Sequence, residues 1–227
     1  MSRDKQPSIT TPFGRAIWPC LDKPSTRFNA DGVYETKLAL EPSERRDALE
    51  QRIRDFVEEF MEETRAELQE KGGKHAATAK KLSMRLPFEP EYDEEGEETG
   101  TLIFKFKRNA KVTSKKTGKT YTFSVKVFDT KNRSMKGVPV GNGSIVRVIA
   151  GLRPYFIPKD AEVGVTLDLN QVQVRELETY SEGAASGFDE LEDGYEFDEA
   201  DVSVDREDDG SVVSGGDEDD IDDVSDF

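Results

Sequence analysis

Two alternating stretches give the first indication of the fold of this chain: TLIFKFK at residues 101–107 and YTFSVKVF at residues 121–128. In the first, aromatic residues such as Phe104 and Phe106 fall on one face and lysines on the other. A period of two is typical of a β-strand, because successive side chains point to opposite faces. The basic turn at residues 116–119 lies between the stretches, so we predict two antiparallel strands joined by a hairpin.

Three further stretches are typical of strands: residues 33–40, 144–152 and 163–177. Between the first of these and the alternating pair, apolar residues within 43–71 recur at helical spacing, with charges on the other faces. Gly72 and its neighbouring glycine end that helix. The sequence therefore predicts a mainly β fold of five strands with one amphipathic helix inserted between the first and second strands.

The remaining segments of the body predict little regular structure. Residues 1–32 are rich in Pro, Thr, Ser and Gly, and we interpret them as an extended N-terminal arm. Residues 75–84 are rich in Ala and Lys and predict a short second helix. Residues 89–98 contain seven acids in ten positions, which predicts a solvated loop.

The negative charge of the chain is concentrated at its C-terminal end. Residues 181–227 carry 20 Asp/Glu against the single Arg206, a net charge of −19. The whole chain carries −16, so residues 1–180 carry +3. A segment with so many charges and so few apolar residues cannot bury a core of its own. We predict one domain at residues 1–180, followed by a disordered acidic tail at residues 181–227.

One segment of the body is strongly basic. Residues 101–136 contain eleven Lys/Arg and one acid. Cations pair with phosphates and an aromatic ring offers a surface to an unstacked base, so this composition favours binding of a nucleic-acid strand. The strand alternation predicts that five side chains project from the face opposite the apolar one: Lys105, Lys107, Lys111, Lys126 and Phe128. Trp18 and Tyr155 are additional stacking candidates.

A structural role for the same side chains is the alternative. Aromatic residues at alternating strand positions usually belong to a core, and we expect burial of four of them: Phe104, Phe106, Tyr121 and Phe123. Lysines on a strand can also solubilise an outer face or protect an edge. The near absence of acids favours binding, because a merely solvated face mixes both signs of charge, as residues 43–71 do.

Motifs for catalysis or metal binding fail on inspection. Residues 113–120 end in Gly-Lys-Thr, as a phosphate-binding loop does, but lack its first glycine. Residues 205–216 resemble the start of a calcium loop but place Gly216 where a bidentate Glu is needed. The sole histidine, His75, and the sole cysteine, Cys20, have no partners that suggest a site. We therefore predict no enzyme activity, no metal and no cofactor.

No stretch of the chain predicts a membrane span. The most apolar segment, residues 145–152, is interrupted by Arg147 and is far shorter than the ~18 apolar residues that a span requires. The first residues lack the apolar stretch of a signal peptide. We predict no membrane partner, and the unpaired Cys20 suits a reducing, intracellular compartment.

Five short motifs follow one another along the chain: DGVY at 31–34, LIFKFK at 102–107, VFD at 127–129, LRPY at 152–155 and DF at 226–227. Together with the acidic tail they resemble the single-stranded DNA-binding proteins of short-tailed bacteriophages. The resemblance implies an OB-fold, a five-stranded Greek-key barrel that binds oligonucleotides across its strand face. It also adds Arg153 of the LRPY motif to the candidate DNA-binding residues.

The same resemblance implies a function. It implies sequence-independent binding of single-stranded DNA in phage DNA replication, recombination and repair, in the cytoplasm of the infected bacterial host. The tail is then expected to compete with DNA and to recruit the phage DNA polymerase and helicase/primase. The expected partner-binding residues close the chain: Asp222, Asp223, Asp226 and Phe227. Dimers occur among such proteins, so a homodimer is a further expected assembly.

A different class of protein would also explain the acidic tail. An acidic chaperone or assembly factor would bind basic proteins through residues 181–227 and use the body only as a scaffold. Under that hypothesis the body ignores nucleic acid. Under the first hypothesis it binds a single strand and releases it in salt.

Overall fold

The computed structural model of the protein describes residues 6–27, 29–114 and 117–179. The chain begins with β1 (Ser8–Thr10), β2 (Gly14–Ser25), β3 (Val33–Leu40), α1 (Glu44–Lys71), α2 (Gly73–Ala79), β4 (Ser83–Arg85) and β5 (Phe88–Tyr92). It continues with β6 (Glu98–Asn109), β7 (Lys111–Thr113), β8 (Thr120–Thr122), β9 (Lys126–Phe128), β10 (Ile145–Ile157) and β11 (Glu162–Glu176). The predicted disordered tail, 181–227, lies outside the described residues.

Five of these strands close into a barrel. Each strand pairs with the next in the order β2, β3, β6, β11 and β10, and β10 pairs again with β2. The β6 and β11 strands run parallel, with Phe106 beside Leu167, and the other pairs are antiparallel. Pairing of Val146 with Gly14 completes the ring. The predicted mainly β fold, a five-stranded OB barrel with an inserted helix, is confirmed.

The membership of the barrel differs from the prediction at one strand. β2 lies within residues 1–32, which we expected to form an extended arm, and it pairs with β3 along its length. Residues 121–128, expected to form a strand, do not enter the barrel. Their first part belongs to β8, which pairs only with β7, and their last part is β9, which pairs with β11. The helix consequently lies between the second and third barrel strands.

The inserted helix α1 forms where the apolar periodicity predicts it. The Ser43 hydroxyl accepts a hydrogen bond from the backbone N–H of Arg46 and so caps the first turn. Buried residues at helical spacing, including Leu49, Ile53 and Val57, pack into the main core. Gly72, at φ +66°, ends the helix. The short helix predicted at 75–84 is present as α2, and β4 begins within the predicted range.

The aromatic residues of the alternating stretches divide between core and surface. Phe104 and Phe106 are fully buried, as predicted. Tyr121 was expected to be buried and is instead 52% exposed, because β8 belongs to a small sheet in which its described partner is β7, separate from the barrel strands. Phe123 is half-buried, with the Arg108 guanidinium 4.6 Å from its ring centre.

The acidic segment expected to be a solvated loop is mostly strand. β5 pairs with β6, and Phe88 of β5 contacts the ring of Phe104 at a centroid distance of 4.9 Å. Only the turn between Asp93 and Glu97 connects the two strands. The prediction was wrong because it rested on the number of acidic side chains, which face water. It did not consider Phe88, whose contact with Phe104 anchors the strand.

Within the described residues, no helix combines the length and apolar character needed to cross a bilayer.

Candidate nucleic-acid interface

A groove of about 770 Å³ crosses the strands of the barrel. Its walls are supplied by β2, β3, β6, β10, β11 and the short β4. Five of the eight predicted DNA-binding residues line it: Trp18, Lys105, Lys107, Arg153 and Tyr155. These residues are far apart in sequence, so the closure of the barrel is what brings them together.

One wall of the groove is a row of lysines. β6 alternates between buried Phe104 and Phe106 and exposed Lys105 and Lys107, so both ammonium groups face outward. The neighbouring strand β3 places Lys37 directly opposite Lys105. Like charges at such close positions repel, which favours a bound anion between them.

Glu89 of β5 occupies part of this positive wall. Its carboxylate lies 2.7 Å from Lys105 Nζ and 3.8 Å from Lys37 Nζ. The hydrogen bond from Lys105 lowers the pKa of Glu89, so the carboxylate remains ionised at neutral pH. Lys107 has no ion-pair partner in the part of the chain that the structure describes. Its ammonium is therefore the more available of the two β6 cations.

Arg153 is held by a carboxylate at the groove. Its Nε and Nη2 atoms donate to the two oxygens of Asp168, at 2.9 and 2.8 Å. This pairing raises the pKa of Arg153 above its usual value, against the opposing effect of burial. Gln6 also donates to Asp168, at 3.2 Å. The guanidinium plane is thus fixed in orientation, and an incoming phosphate must share it with Asp168.

Tyr155 lies over a glycine of the facing strand. Tyr155 pairs with Gly164, and a Cβ added to Gly164 would lie only 2.5 Å from the Tyr155 hydroxyl. A larger residue at this position would therefore displace the ring. Partial burial, followed by the nearby Glu162 carboxylate, raises the pKa of Tyr155. The side chain is a neutral, half-buried ring with one edge in the groove.

Trp18 is the most exposed large apolar side chain of the groove, with 70% of its surface accessible. It lies in β2 at a point where the pairing register with β3 shifts between Ile17 and Cys20. A tryptophan so exposed leaves a large apolar area in contact with water, and burying it against a ligand is favourable.

Three predicted DNA-binding residues lie elsewhere. Lys111 is exposed on β7, which is outside the barrel. Lys126 is exposed and Phe128 half-buried on β9. The predicted single row of four lysines is therefore divided among three strands, and only Lys105 and Lys107 line the groove.

Sequence reasoning missed six charged residues in or beside the groove: Glu35, Lys37, Arg85, Glu89, Glu162 and Asp168. The outward position of Lys37 follows from the alternation of β3 and could have been inferred. The positions of Arg85, Glu89, Glu162 and Asp168 depend on strand pairing. Arg153 of β10 reaches Asp168 of β11 diagonally, because the directly paired residues are Arg153 with Thr166 and Gly151 with Asp168. Glu162 of β11 lies 3.5 Å from Arg85 of β4.

The described residues offer little for catalysis. They contain no cluster of three or more His, Cys, Asp or Glu that could hold a metal ion. The pKa of Cys20 is raised by burial and by Glu35, which disfavours the reactive thiolate. The groove is suited to binding an extended, charged and aromatic ligand.

A closed barrel with the order β2–β3–β6–β11–β10 and an open groove across its strands defines the class of OB-fold proteins. Within that class, residues 15–177 match the family model described as single-stranded DNA-binding protein, bacteriophage T7. The chain belongs to this family.

Individual relatives agree with the family. The single-stranded DNA-binding protein of Escherichia phage T7 is 32% identical over 170 residues, which cover 74% of this chain and 72% of the relative. The protein of the same description from Enterobacteria phage T3 is 29% identical over 168 residues, 73% of this chain and 72% of the relative. The crystal structure of gp2.5, a single-stranded DNA-binding protein encoded by bacteriophage T7, superposes with a TM-score of 0.61. At 27% identity it covers 82% of this chain and 99% of its own.

Proposed function

We propose that this phage protein binds single-stranded DNA without sequence preference and catalyses no reaction. The observation that carries the proposal is the groove, where Lys105, Lys107, Arg153, Trp18 and Tyr155 converge. A positively charged groove lined by aromatic rings is the arrangement by which OB-folds hold single strands. Membership of the T7 family supports it.

The positive wall is proposed to hold the phosphates. Lys107 is available at once, whereas Lys105 must exchange the Glu89 carboxylate for a phosphate. Arg153 keeps its Asp168 partner and offers its remaining N–H groups. Binding of this kind releases counterions, so it weakens as salt rises.

The aromatic side chains are proposed to receive the bases. Trp18 presents an exposed indole and Tyr155 a ring supported from below by Gly164. Every base has an aromatic face, so stacking contributes affinity of about 1–3 kcal/mol per base without selecting a sequence. This accounts for a protein that coats strands of any sequence.

The lysines outside the groove are proposed to extend the track. β9 follows β6 along the same edge of β11, with Lys107 beside Asp168 and Lys126 beside Gln171. Three residues along a strand span about 10 Å. A strand leaving the groove would therefore meet Lys126, with Phe128 nearby, and Lys111 on the projecting hairpin remains a further proposed contact.

The acidic tail is proposed to regulate this binding. The tail carries a net charge of −19 and residues 1–180 carry +3. A tethered anion competes with DNA at high effective concentration. Once displaced, Asp222, Asp223, Asp226 and Phe227 are proposed to recruit the phage DNA polymerase and helicase/primase. The setting is DNA replication, recombination and repair in the cytoplasm of the infected bacterial host, with a homodimer as a further proposed assembly.

Titration of the intact protein with oligo-dT, duplex DNA and RNA, at several salt concentrations, tests the central proposal. We expect oligo-dT to bind and log affinity to fall linearly with log salt, by about 0.7 for each phosphate contacted. If oligo-dT is ignored while basic proteins bind, the alternative of an acidic chaperone is correct.

Deletion of residues 181–227 tests the tail separately. We expect tighter binding of oligo-dT at low salt, where tethered charges are least screened, and loss of polymerase pull-down. Deletion of Phe227 alone should impair the pull-down and leave DNA affinity unchanged. Equal DNA affinity with and without the tail at low ionic strength would contradict competition.

A further inference from the structure

The backbone of Trp18 has an unusual conformation. Its φ angle is +50°, in the left-handed region that large side chains rarely adopt. Such a conformation persists only where the surroundings hold it, and it often marks a functional position. Trp18 is also 70% exposed, so side-chain packing does not supply that support.

The support comes from a turn distant in sequence. The backbone N–H of Trp18 donates to Oδ1 of Asn142, at 3.0 Å. The same turn, residues 141–144, is fastened to β2 by two backbone hydrogen bonds. Ala16 N–H donates to Ser144 O at 2.8 Å, and Gly143 N–H donates to Ala16 O at 2.9 Å. We call residues 141–144 the Asn142 turn.

The Asn142 turn is itself anchored on its other side. Gly141 N–H donates to the carbonyl of Glu178 at 2.6 Å, and the fully buried Ser144 hydroxyl bonds both the carbonyl and the N–H of Glu178. A Cβ at Gly141 would lie 2.6 Å from the Glu178 carbonyl, so the approach requires glycine. The turn is thus a rigid bridge between Glu178 and the backbone of Trp18.

We propose that Asn142 is a positioning residue for single-stranded DNA binding, which holds Trp18 in the left-handed conformation that presents its indole to the groove. The inference rests on the proposed function of the groove. Without the Oδ1 acceptor, the Trp18 N–H loses its partner and the residue can relax toward an ordinary strand conformation. The ring then leaves the position in which it stacks on a base.

Hydrogen exchange on the free protein tests the contact directly. We expect Asn142→Ala to accelerate exchange of the Trp18 amide, and Asn142→Asp, which keeps the acceptor, to leave it protected. Trp18 is the only tryptophan, so its fluorescence anisotropy reports the accompanying gain in ring motion. Asn132→Ala is the control, because Asn132 also lies in a loop and its Oδ1 accepts a hydrogen bond from Gln173, outside the groove. Unchanged Trp18 exchange and anisotropy in Asn142→Ala would overturn the proposal.

A double-mutant cycle tests the effect on DNA. We expect Asn142→Ala to weaken oligo-dT binding about 3- to 10-fold, part of the roughly 5- to 150-fold that loss of one stacked base represents. In the background of Trp18→Ala, the same change should have no further effect, because it acts through Trp18. An equal loss in both backgrounds would refute the positioning role. Failure of the wild type to bind oligo-dT would refute the proposed function, while the exchange experiment would still decide whether Asn142 holds Trp18.

A second variant separates the effect of Asn142 on Trp18 from a general loss of stability of the turn. Ser144→Ala removes the hydroxyl that anchors the turn to Glu178 and leaves the Asn142 acceptor intact. We expect it to raise Trp18 exchange less than Asn142→Ala does. If Ser144→Ala and Asn142→Ala lowered the melting temperature equally and changed Trp18 exchange only in proportion, the turn would be structural alone and the proposal wrong.

Discussion

β6 and the β7–β8 hairpin that follows it share an alternating, lysine-rich sequence but differ in the burial of their apolar side chains. β6 has β3 along one edge and β5 and β11 along the other, and its phenylalanines are fully buried. Among the described strands β8 pairs with β7 alone, and its Tyr121 is exposed. Alternation therefore predicts strand formation in both segments, whereas burial also depends on the neighbours that each strand finds in the fold.

The largest expected difference is in stability. Phe104→Ala should lower the free energy of unfolding by about 3–5 kcal/mol, because it leaves a cavity beneath Phe88. Tyr121→Ala should change it by less than about 0.5 kcal/mol, as expected for a surface site. Chemical denaturation measures both. Equal losses would show that the β7–β8 hairpin packs against something in solution.

The next difference concerns the rings proposed to stack. Tyr155→Ala should weaken oligo-dT binding by about 1–3 kcal/mol, because the ring lies in the groove. Phe128→Ala tests whether stacking extends to β9, where the ring is half-buried. A fall in melting temperature with DNA affinity intact would assign either ring to packing and end its stacking role.

The two lysines of β6 can be compared with the two lysines of β7 and β9 by means of two double variants. Replacing Lys105 and Lys107 by Ala should reduce the salt slope of log affinity by about 1.4, twice the value of ~0.7 for one phosphate on a single strand. Over the tenfold range from 1 M to 0.1 M salt, a slope change of 1.4 means that the affinity of the double variant, relative to wild type, should be roughly 25-fold lower at 0.1 M than at 1 M. The double variant of Lys111 and Lys126 should reduce slope and affinity less, because neither lines the groove. The reverse ranking would move the binding face to the projecting strands.

The smallest effect is expected at Glu89. Glu89→Gln should tighten oligo-dT binding about 2- to 5-fold at neutral pH, because exposed ion pairs contribute up to about 1 kcal/mol and this one competes with phosphate. Glu91→Gln is the control, since Glu91 lies two residues along β5 and pairs with Arg15 outside the groove. Tightening by both variants alike would indicate a general charge effect.

The pH dependence of the Glu89 effect has a definite sign. The pKa of Glu89 in the folded protein lies below its ordinary value of 4.5, so its ion pair stabilises the fold above that value. This contribution is lost as pH falls through the lowered pKa. Over the same range protonation frees Lys105, so the wild type should approach the DNA affinity of Glu89→Gln. Parallel affinity curves across the pH range in which Glu89 becomes protonated would contradict the competition.

The inner face of the barrel and the helix could be predicted because their signals are local. Phe104 and Phe106 alternate with lysines within one strand, and Leu49 to Val57 repeat at helical spacing within one helix. Both patterns depend on a single element. The outward orientation of Lys105 and Lys107 followed from the same alternation.

What could not be predicted depends on pairing between elements. β2 interrupts its alternation with Pro19, Pro24 and a register shift at Trp18, so its sequence resembles an arm. The contacts of Asp168 with Arg153 and of Gly164 with Tyr155 exist only once β10 and β11 are in register. No spacing within the sequence reports which residues will face each other across two strands.

The order of closure also determines when the groove can exist during protein synthesis. Among the described elements only β11 pairs with both β6 and β10, so the ring remains open until residues 162–176 have left the ribosome. Pairings between such distant segments form slowly, and unclosed sheets expose edges that aggregate. A nascent chain that ends before β11 thus has Trp18 and the lysines of β6 but no groove to hold them together. This protein can therefore capture a strand only after residues 162–176 have emerged from the ribosome.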